Sequence, residues 1–135
     1  MSTRSIIAKQ NEDGTIKAVY CHWDGYPSNN GKILIENYTT AARVDNLLMH
    51  GSISSLGKTY IKRKGHTFEN PVEGCTVFYG RDRGEKDNGP RTFENVKALD
   101  EVDMCQVYEY LFRDAKWFFR ETDGKWKVLT PKDCE

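Results

Sequence analysis

The sequence predicts an α+β domain built on an antiparallel sheet, and three observations lead to that class. Strand-like runs near the start of the chain are joined by an Asp-Gly turn, which is typical of a β-hairpin. Apolar residues at helical spacing follow between residues 31 and 50. The last third of the chain is again rich in aromatic and β-branched residues. We therefore expect an N-terminal hairpin and a C-terminal three-stranded meander, covered on one face by two short helices.

The hairpin is predicted for residues 4–9 and 15–22, which lie on either side of the turn residues Asn11-Glu12-Asp13-Gly14. Because side chains alternate along a strand, Tyr20 and His22 share one face of the second strand. Trp23 belongs to the opposite face if the strand continues that far.

The first helix is expected to begin near Gly31, since Pro27 and the Ser28-Asn29-Asn30 cluster end the strand and offer capping oxygens. Thr39 or Thr40 can cap a second helix. Gly51 after His50 is typical of the residue that ends a helix. The apolar residues at helical spacing are Ile33, Leu34, Tyr38, Ala41, Val44, Leu47 and Leu48.

The middle of the chain has weaker patterns. Residues 58–63 are predicted to be a short exposed strand or a loop, and residues 75–79 are apolar enough to indicate a buried strand. Residues 80–91 are rich in charge and glycine, so we expect a surface loop. Residues 92–99 are predicted to form a brief helix, since their apolar members lie three apart.

The meander is predicted over residues 105–112, 116–121 and 125–129, with turns at Asp114-Ala115 and Asp123-Gly124. Strands joined by such short turns pair in an antiparallel manner. The sequence therefore predicts a second sheet unit that is local in the chain.

A length of 135 residues fits a single domain with one core, which we place at residues 1–130 with a short charged tail at residues 131–135. The aromatic residues of the meander include Trp117, Phe119 and Trp126. They provide apolar surface on both faces of the strands, so a homodimer is one expected assembly.

Composition narrows the classes of function. Lys and Arg together number 20, as do Asp and Glu, so the chain lacks the positive charge that drives non-specific binding to nucleic acid. No run reaches the roughly 18 apolar residues of a membrane span, and the N-terminus lacks the apolar block of a signal peptide. We expect a cytoplasmic protein with no membrane partner and no specific nucleic-acid partner.

No metal site or cofactor is predicted. A zinc set of Cys21, His22 and Asp24 with His50 or His66 is disfavoured, because adjacent strand residues point apart. We interpret His50 as a charge at a helix C-terminus and His66 as a solvated loop residue. The cysteines form no Cys-x-x-Cys pair, which favours reduced thiols over a redox or zinc motif; they are Cys21, Cys75, Cys105 and Cys134.

Candidate ligand-binding residues gather at the junction between the hairpin and the first helix. His22 can act as a general base or as a hydrogen-bond partner, and Asp24 is near enough in sequence to orient it. The structural alternative is a His–Asp contact that closes the turn. Gly25 argues against a continuing strand, so we favour ligand contact over a catalytic dyad. Tyr26 is the better exposed candidate for stacking on a ligand, since Trp23 can equally fill the core.

A second group of candidates follows the strand at residues 75–79. Arg81 and Arg83 have guanidinium groups that match phosphate or carboxylate, and Arg4 adds a further cation near the start of the hairpin. Asp82 and Glu85 can instead pair with these arginines inside the loop. Both alternatives stay open at the level of sequence.

Four segments carry a resemblance to known proteins: residues 1–6, 20–27 (YCHWDGYP), 53–56 and 78–85 (FYGRDRGE). They resemble a group of small proteins found in phages and prophages, and the likeness covers most of the chain. The resemblance implies a virus-encoded protein in the cytoplasm of the host cell. It implies no catalytic residues.

Three hypotheses describe the function. The first is a phage accessory protein that captures a small phosphate-bearing, nucleotide-like ligand and so sequesters a host defence signal. Its predicted ligand-binding residues are Arg4, His22, Asp24, Tyr26, Arg81 and Arg83. The second is an inhibitor that docks on a host protein through residues 58–64 and 80–91. The third and least favoured is a hydrolase of phosphoester or glycosidic bonds with His22 as base.

Overall fold

The computed structural model describes residues 2–135, and its centre is an open, mostly antiparallel sheet of eight strands. In chain order the strands are β1 (Ser5–Gln10), β2 (Ile16–Cys21), β3 (Ile53–Ser55), β4 (Val77–Phe78), β5 (Arg91–Phe93), β6 (Tyr108–Arg113), β7 (Lys116–Glu121) and β8 (Lys127–Val128). They lie in the order β4-β3-β2-β1-β6-β7-β8, and β5 also pairs with β2. The predicted α+β class is confirmed.

The helices are short. A π-helical turn (Pro27–Gly31) leads into α1 (Lys32–Asn37), which is followed by α2 (Ala41–Met49) and α3 (Tyr79–Arg83). Two 3₁₀ turns cover Val96–Glu101 and Pro131–Cys134. The predicted ends of α2 are confirmed, since the Thr40 hydroxyl accepts the Arg43 amide at 3.2 Å and Gly51 has a φ of +80°.

The two predicted sheet units meet along a parallel pair of strands. β1 and β2 form the antiparallel hairpin, and β6, β7 and β8 form the meander. β1 runs parallel to β6, and β2 runs parallel to β3. A tight turn imposes antiparallel pairing, whereas a long intervening segment leaves both directions open. The sequence therefore predicted pairing within each unit but not the direction between them.

Both faces of the sheet are covered. The face beneath α1 and α2 is formed by one parity of strand residues and packs against the apolar residues of these helices; its members include Ile7, Val19, Cys21, Leu34, Val44, Leu47 and Leu48. The opposite face carries the other parity and packs against the turn at residues 96–101; its members include Ile6, Ala8, Ile16, Ala18, Leu99 and Leu111. The period of two along each strand accounts for this division.

Two local secondary-structure predictions are wrong. Residues 80–83, expected in a surface loop, are helical together with Tyr79, because the Asp82 carboxylate accepts the Phe78 amide at 2.9 Å and holds the first turn together. Residues 92–99 do not form one helix. They divide between β5, which pairs with β2, and the 3₁₀ turn at residues 96–101.

The C-terminal region is more closely packed than its sequence indicates. Residues 131–135, expected as a charged tail, contain a 3₁₀ turn whose Cys134 belongs to the core. Trp117 and Phe119 are each only 5% exposed, so neither offers the apolar surface that was expected to pair with a second copy. No helix within residues 2–135 is long and apolar enough to cross a lipid bilayer.

Candidate functional site

The turn that follows β2 is held rigidly by buried hydrogen bonds. The amides of His22 and Trp23 donate to carbonyl oxygens of the neighbouring segment at 3.0 Å. The Gly25 amide donates to the Thr3 carbonyl at 2.7 Å, and the Tyr110 hydroxyl donates to the Gly25 carbonyl at 2.6 Å. A Cβ at Gly25 would lie 2.7 Å from the Ser5 Cβ, so this close approach requires glycine.

This rigid turn presents two aromatic side chains to solvent. Trp23 is 44% exposed and Tyr26 is 38% exposed. Tyr26 is exposed, but the prediction that it is better exposed than Trp23 is wrong, as is the alternative that Trp23 fills the core. Asp24 adopts a left-handed backbone conformation with a φ of +54°, which turns the chain away from the strand direction before Gly25.

Arg4, Tyr20 and His22 lie together at the end of the sheet, and we call them the surface cluster. The register that places Ser5 opposite Cys21 brings Arg4 beside His22. The Tyr20 hydroxyl lies 2.6 Å from His22 Nδ1. Burial, with a smaller contribution from the charge on Arg4, lowers the pKa of His22. His22 is therefore neutral near pH 7, with its Nδ1 accepting from Tyr20 and its proton on Nε2.

Among the described residues, Arg4 is the member of the surface cluster that has a hydrogen-bond donor without an acceptor. Its Nε is buried and has no hydrogen-bond partner within the part of the chain that the structure describes. Burial raises the pKa of Tyr20, and the positive charge of Arg4 opposes that rise. The guanidinium therefore lies close to the phenol. The Nε is shielded from solvent, so the outer N–H groups of this half-buried guanidinium are the ones that an anion from solvent can reach.

Asp24 and Tyr26 pair with each other rather than with His22. The Tyr26 hydroxyl donates to Asp24 Oδ1 at 3.2 Å, and Asn29 donates to the Asp24 carbonyl at 3.2 Å. The Asp24 charge, as the largest cause, raises the pKa of Tyr26. Since His22 has its own partner in Tyr20, the structure places His22 and Asp24 in separate contacts.

Arg81 points into the protein, where it forms a buried network with Asp82 and His66 that we call the clasp. Arg81 donates to both carboxylate oxygens of Asp82, from Nε at 2.9 Å and from Nη2 at 3.1 Å. It also donates to the carbonyl oxygens of Tyr60 and Thr76. Of the two alternatives left open for Arg81, self-pairing inside the segment is the one observed.

His66 completes the clasp, and the expectation that it is a solvated loop residue is wrong. It is only 2% exposed. The Val72 amide donates to His66 Nδ1 at 3.0 Å, which leaves the proton on Nε2, 3.1 Å from Asp82 Oδ2. Burial pushes the pKa of Asp82 upward, but hydrogen bonds from Arg81, the Phe78 amide and His66 outweigh it and hold that pKa below 3.8.

Arg83 is the last residue of α3. Its Nε is 2.7 Å from Glu85 Oε2, and its guanidinium lies over the rings of Phe68 and Tyr79 at 4.9 and 5.6 Å. Tyr79 is close enough to Tyr20 to affect its ionisation. Of the two alternatives left open for Arg83, pairing inside the segment is the one observed.

Sequence reasoning missed two residues of this region. Tyr20 lies two positions before His22 on the same strand face, so its sequence position was a usable signal. The sequence position of Tyr79 offered no such signal, since its proximity to Tyr20 depends on the pairing of β2, β3 and β4. Within residues 2–135 no three His, Cys, Asp or Glu side chains are grouped as a metal site would need.

Four cavities are found in other parts of the molecule, and none of these four is lined by the predicted site residues. One of about 370 Å³ lies beside α1, between Ile35, Leu129 and Pro131. The surface cluster, whose three members are half-buried, is distinct from these four cavities. Comparison of the chain with protein-family models, with curated proteins and with solved structures gave no significant match.

Proposed function

We propose that the protein is a phage-encoded binding protein that captures a small phosphate-bearing, nucleotide-like ligand at the surface cluster and the adjoining turn. The observation that carries this proposal is the half-buried guanidinium of Arg4 beside His22, whose Nε has no partner within residues 2–135. His22 Nε2 carries a second N–H, because its Nδ1 is engaged by Tyr20. Two N–H donors beside each other favour an anion such as phosphate.

The six predicted ligand-binding residues then have different parts. Arg4 and His22 contact the anion, while Tyr26 and Asp24 border the site on the turn. Arg83 approaches from α3 through its contact with Tyr79. Arg81 supports α3 from inside the protein, since its donors are engaged by Asp82 and by carbonyl oxygens.

The geometry favours binding without turnover. A general base needs a basic nitrogen that can take a proton from the reacting group. In His22 that nitrogen, Nδ1, already accepts the Tyr20 hydroxyl, and Asp24 is engaged by Tyr26. Sequestering a nucleotide signal of the host, the role that the resemblance to small phage proteins suggests, requires affinity and no catalysis.

Native mass spectrometry of freshly purified protein tests the proposal, since it reports any retained small molecule together with the number of copies in the assembly. Calorimetric titration with a panel of mono-, di- and cyclic nucleotides then measures affinity. We expect Arg4→Ala to weaken the binding of the best nucleotide by about 10- to 100-fold, because a charged hydrogen bond is lost.

Arg63→Ala is the matched control, since it removes an exposed guanidinium from the loop at residues 58–64 and is expected to leave that affinity unchanged. If no nucleotide is retained and none of the panel binds, the proposed function is wrong. Equal losses in the two variants would indicate general charge attraction rather than a site.

Docking on a host protein is a second candidate, favoured by one observation. Ile61 is 55% exposed and is followed directly by the exposed cations Lys62, Arg63 and Lys64. An apolar side chain with polar groups around it matches the arrangement of an interface, in which an apolar centre has a polar rim. Under this proposal Ile61→Asp and Arg83→Ala abolish capture of a partner from host lysate, while no nucleotide binds to the unmodified protein.

A further inference from the structure

Trp23 is much more exposed than Trp117. It is 44% exposed, whereas Trp117 is 5% exposed and packs in the core. The exposure does not come from a loose segment, because the Trp23 amide donates to the Ser54 carbonyl at 3.0 Å and its own carbonyl accepts from the Cys21 thiol at 3.7 Å. The backbone holds a large apolar ring in solvent.

The Trp23 ring is not covered by a stacked neighbour in the contacts of the described residues. The rings of His22 and Trp23 are perpendicular, at 89°, with their centroids 4.5 Å apart. In an edge-to-face pair His22 covers at most one face of the indole, which agrees with the 44% exposure of the Trp23 side chain. Because His22 also contacts Tyr20, it connects the Trp23 ring with the donors of the surface cluster.

We infer that Trp23 is a stacking platform for a nucleobase, so that the ligand is a nucleotide recognised at both ends: its phosphate at Arg4 and its base on Trp23. This inference rests on the proposed function and specifies its ligand class. A sugar phosphate or inorganic phosphate would use only the cationic end. Stacking on an indole does not depend on hydrogen bonds to the base, so several bases are accepted.

The test compares a nucleotide with the same phosphate lacking the base, by calorimetric titration of the full-length protein. AMP and ribose 5-phosphate are the first matched pair, with inorganic phosphate as the smallest probe. We expect AMP to bind about 5- to 100-fold more tightly than ribose 5-phosphate, and Trp23→Ala to remove that difference. Trp23→Phe keeps an aromatic face and is expected to retain most of it.

Tryptophan fluorescence provides a second readout that depends on the ring itself. Binding of AMP is expected to quench the emission of the unmodified protein, and the quenching is expected to disappear in Trp23→Phe even though AMP still binds. The remaining tryptophans, Trp117 and Trp126, then report only the background.

The outcomes separate the inference from the proposed function. If AMP and ribose 5-phosphate bind equally, Trp23→Ala changes neither, and Arg4→Ala weakens both, the stacking inference is overturned and phosphate binding stands. If none of the nucleotide panel binds the unmodified protein, both are overturned. In that case loss of capture of a host protein by Trp23→Ala would assign the ring to a protein interface.

Discussion

The surface cluster and the clasp contain similar residue types and differ in how far their polar atoms are satisfied. Each has an arginine and a histidine with its proton on Nε2. In the clasp, Asp82 accepts from Arg81, His66 and the Phe78 amide, so donors and acceptors are matched in a buried network. In the surface cluster the third member is Tyr20, and Arg4 keeps an unpartnered Nε. An arginine whose donors are all engaged stabilises the fold, whereas an arginine with an unpaired donor is the better candidate to bind a ligand.

The largest expected effect is on the clasp. Asp82→Ala leaves the Arg81 charge, the His66 N–H and the Phe78 amide without their common acceptor in a region from which water is excluded. Breaking a buried ion pair on one side costs about 3 kcal/mol or more. We expect the free energy of unfolding, measured by urea denaturation, to fall by about that amount.

Glu85→Ala and Arg4→Ala provide the contrast. The Arg83–Glu85 pair is well exposed, with side-chain exposures of 50% and 35%, so its loss is expected to cost less than about 1 kcal/mol. Arg4→Ala is also expected to stay within about 1 kcal/mol, because no partner of its Nε is left unpaired. A loss in Arg4→Ala as large as that in Asp82→Ala would remove the distinction between the two clusters.

A smaller effect is expected from pH. Asp82 has a pKa below 3.8 in the folded protein, so the unfolded chain binds a proton at higher pH than the folded chain does. The stability that the ionised carboxylate contributes is therefore present above the pKa of the unfolded chain. It is lost as the pH falls through the pKa of the folded protein. The difference in unfolding free energy between the unmodified protein and Asp82→Ala should be constant from about pH 5 to 7 and shrink below about pH 4. A difference that grows in acid contradicts this assignment.

The smallest effect is on the titration of His22. Burial is the main cause of its lowered pKa, and the Arg4 charge is the second. Arg4→Ala removes the repulsion between the guanidinium and the protonated imidazole, so the pKa of His22 is expected to rise toward 6.5. NMR of the imidazole ring protons measures that pKa. His50 is the internal control, since burial and Arg81 lower its pKa and Arg4 is not among the causes. Equal shifts of the two histidines would argue against a direct Arg4–His22 interaction.

Much of the fold was predictable because its signals are local. Asp13-Gly14 and Asp114-Ala115 lie in the turns of the hairpin and of the meander, and both turns use left-handed backbone conformations that suit or tolerate these residues. Thr40 and Gly51 mark the ends of α2 by the same kind of short-range chemistry. The prediction for residues 92–99 was wrong because a distant contact, the pairing of β5 with β2, decides part of that conformation. The helix that begins at Tyr79 depends instead on a contact between Asp82 and Phe78 that the charge pattern did not reveal.

The candidate site was predictable only in part. Tyr26 is exposed and His22 is half-buried at the end of the sheet, but Asp24 does not orient His22 and Arg81 does not face solvent. The partner of Asp82 lies 16 residues away at His66, on a loop whose sequence is typical of exposed chain. No short-range pattern connects these residues, so their meeting could not be anticipated.

Turns, caps and strand parity follow from the amino-acid sequence, because each depends on backbone preferences and on hydrogen bonds between residues a few positions apart. Whether an arginine is saturated or free depends instead on which carboxylates, carbonyls and rings reach it from other segments. Arg81 donates to Asp82 on its own helix and to the carbonyl oxygens of Tyr60 and Thr76. Arg4 lies near Tyr20 and the neutral His22. Assembly of the sheet sets those distances, and with them the division between a structural cation and one available to bind.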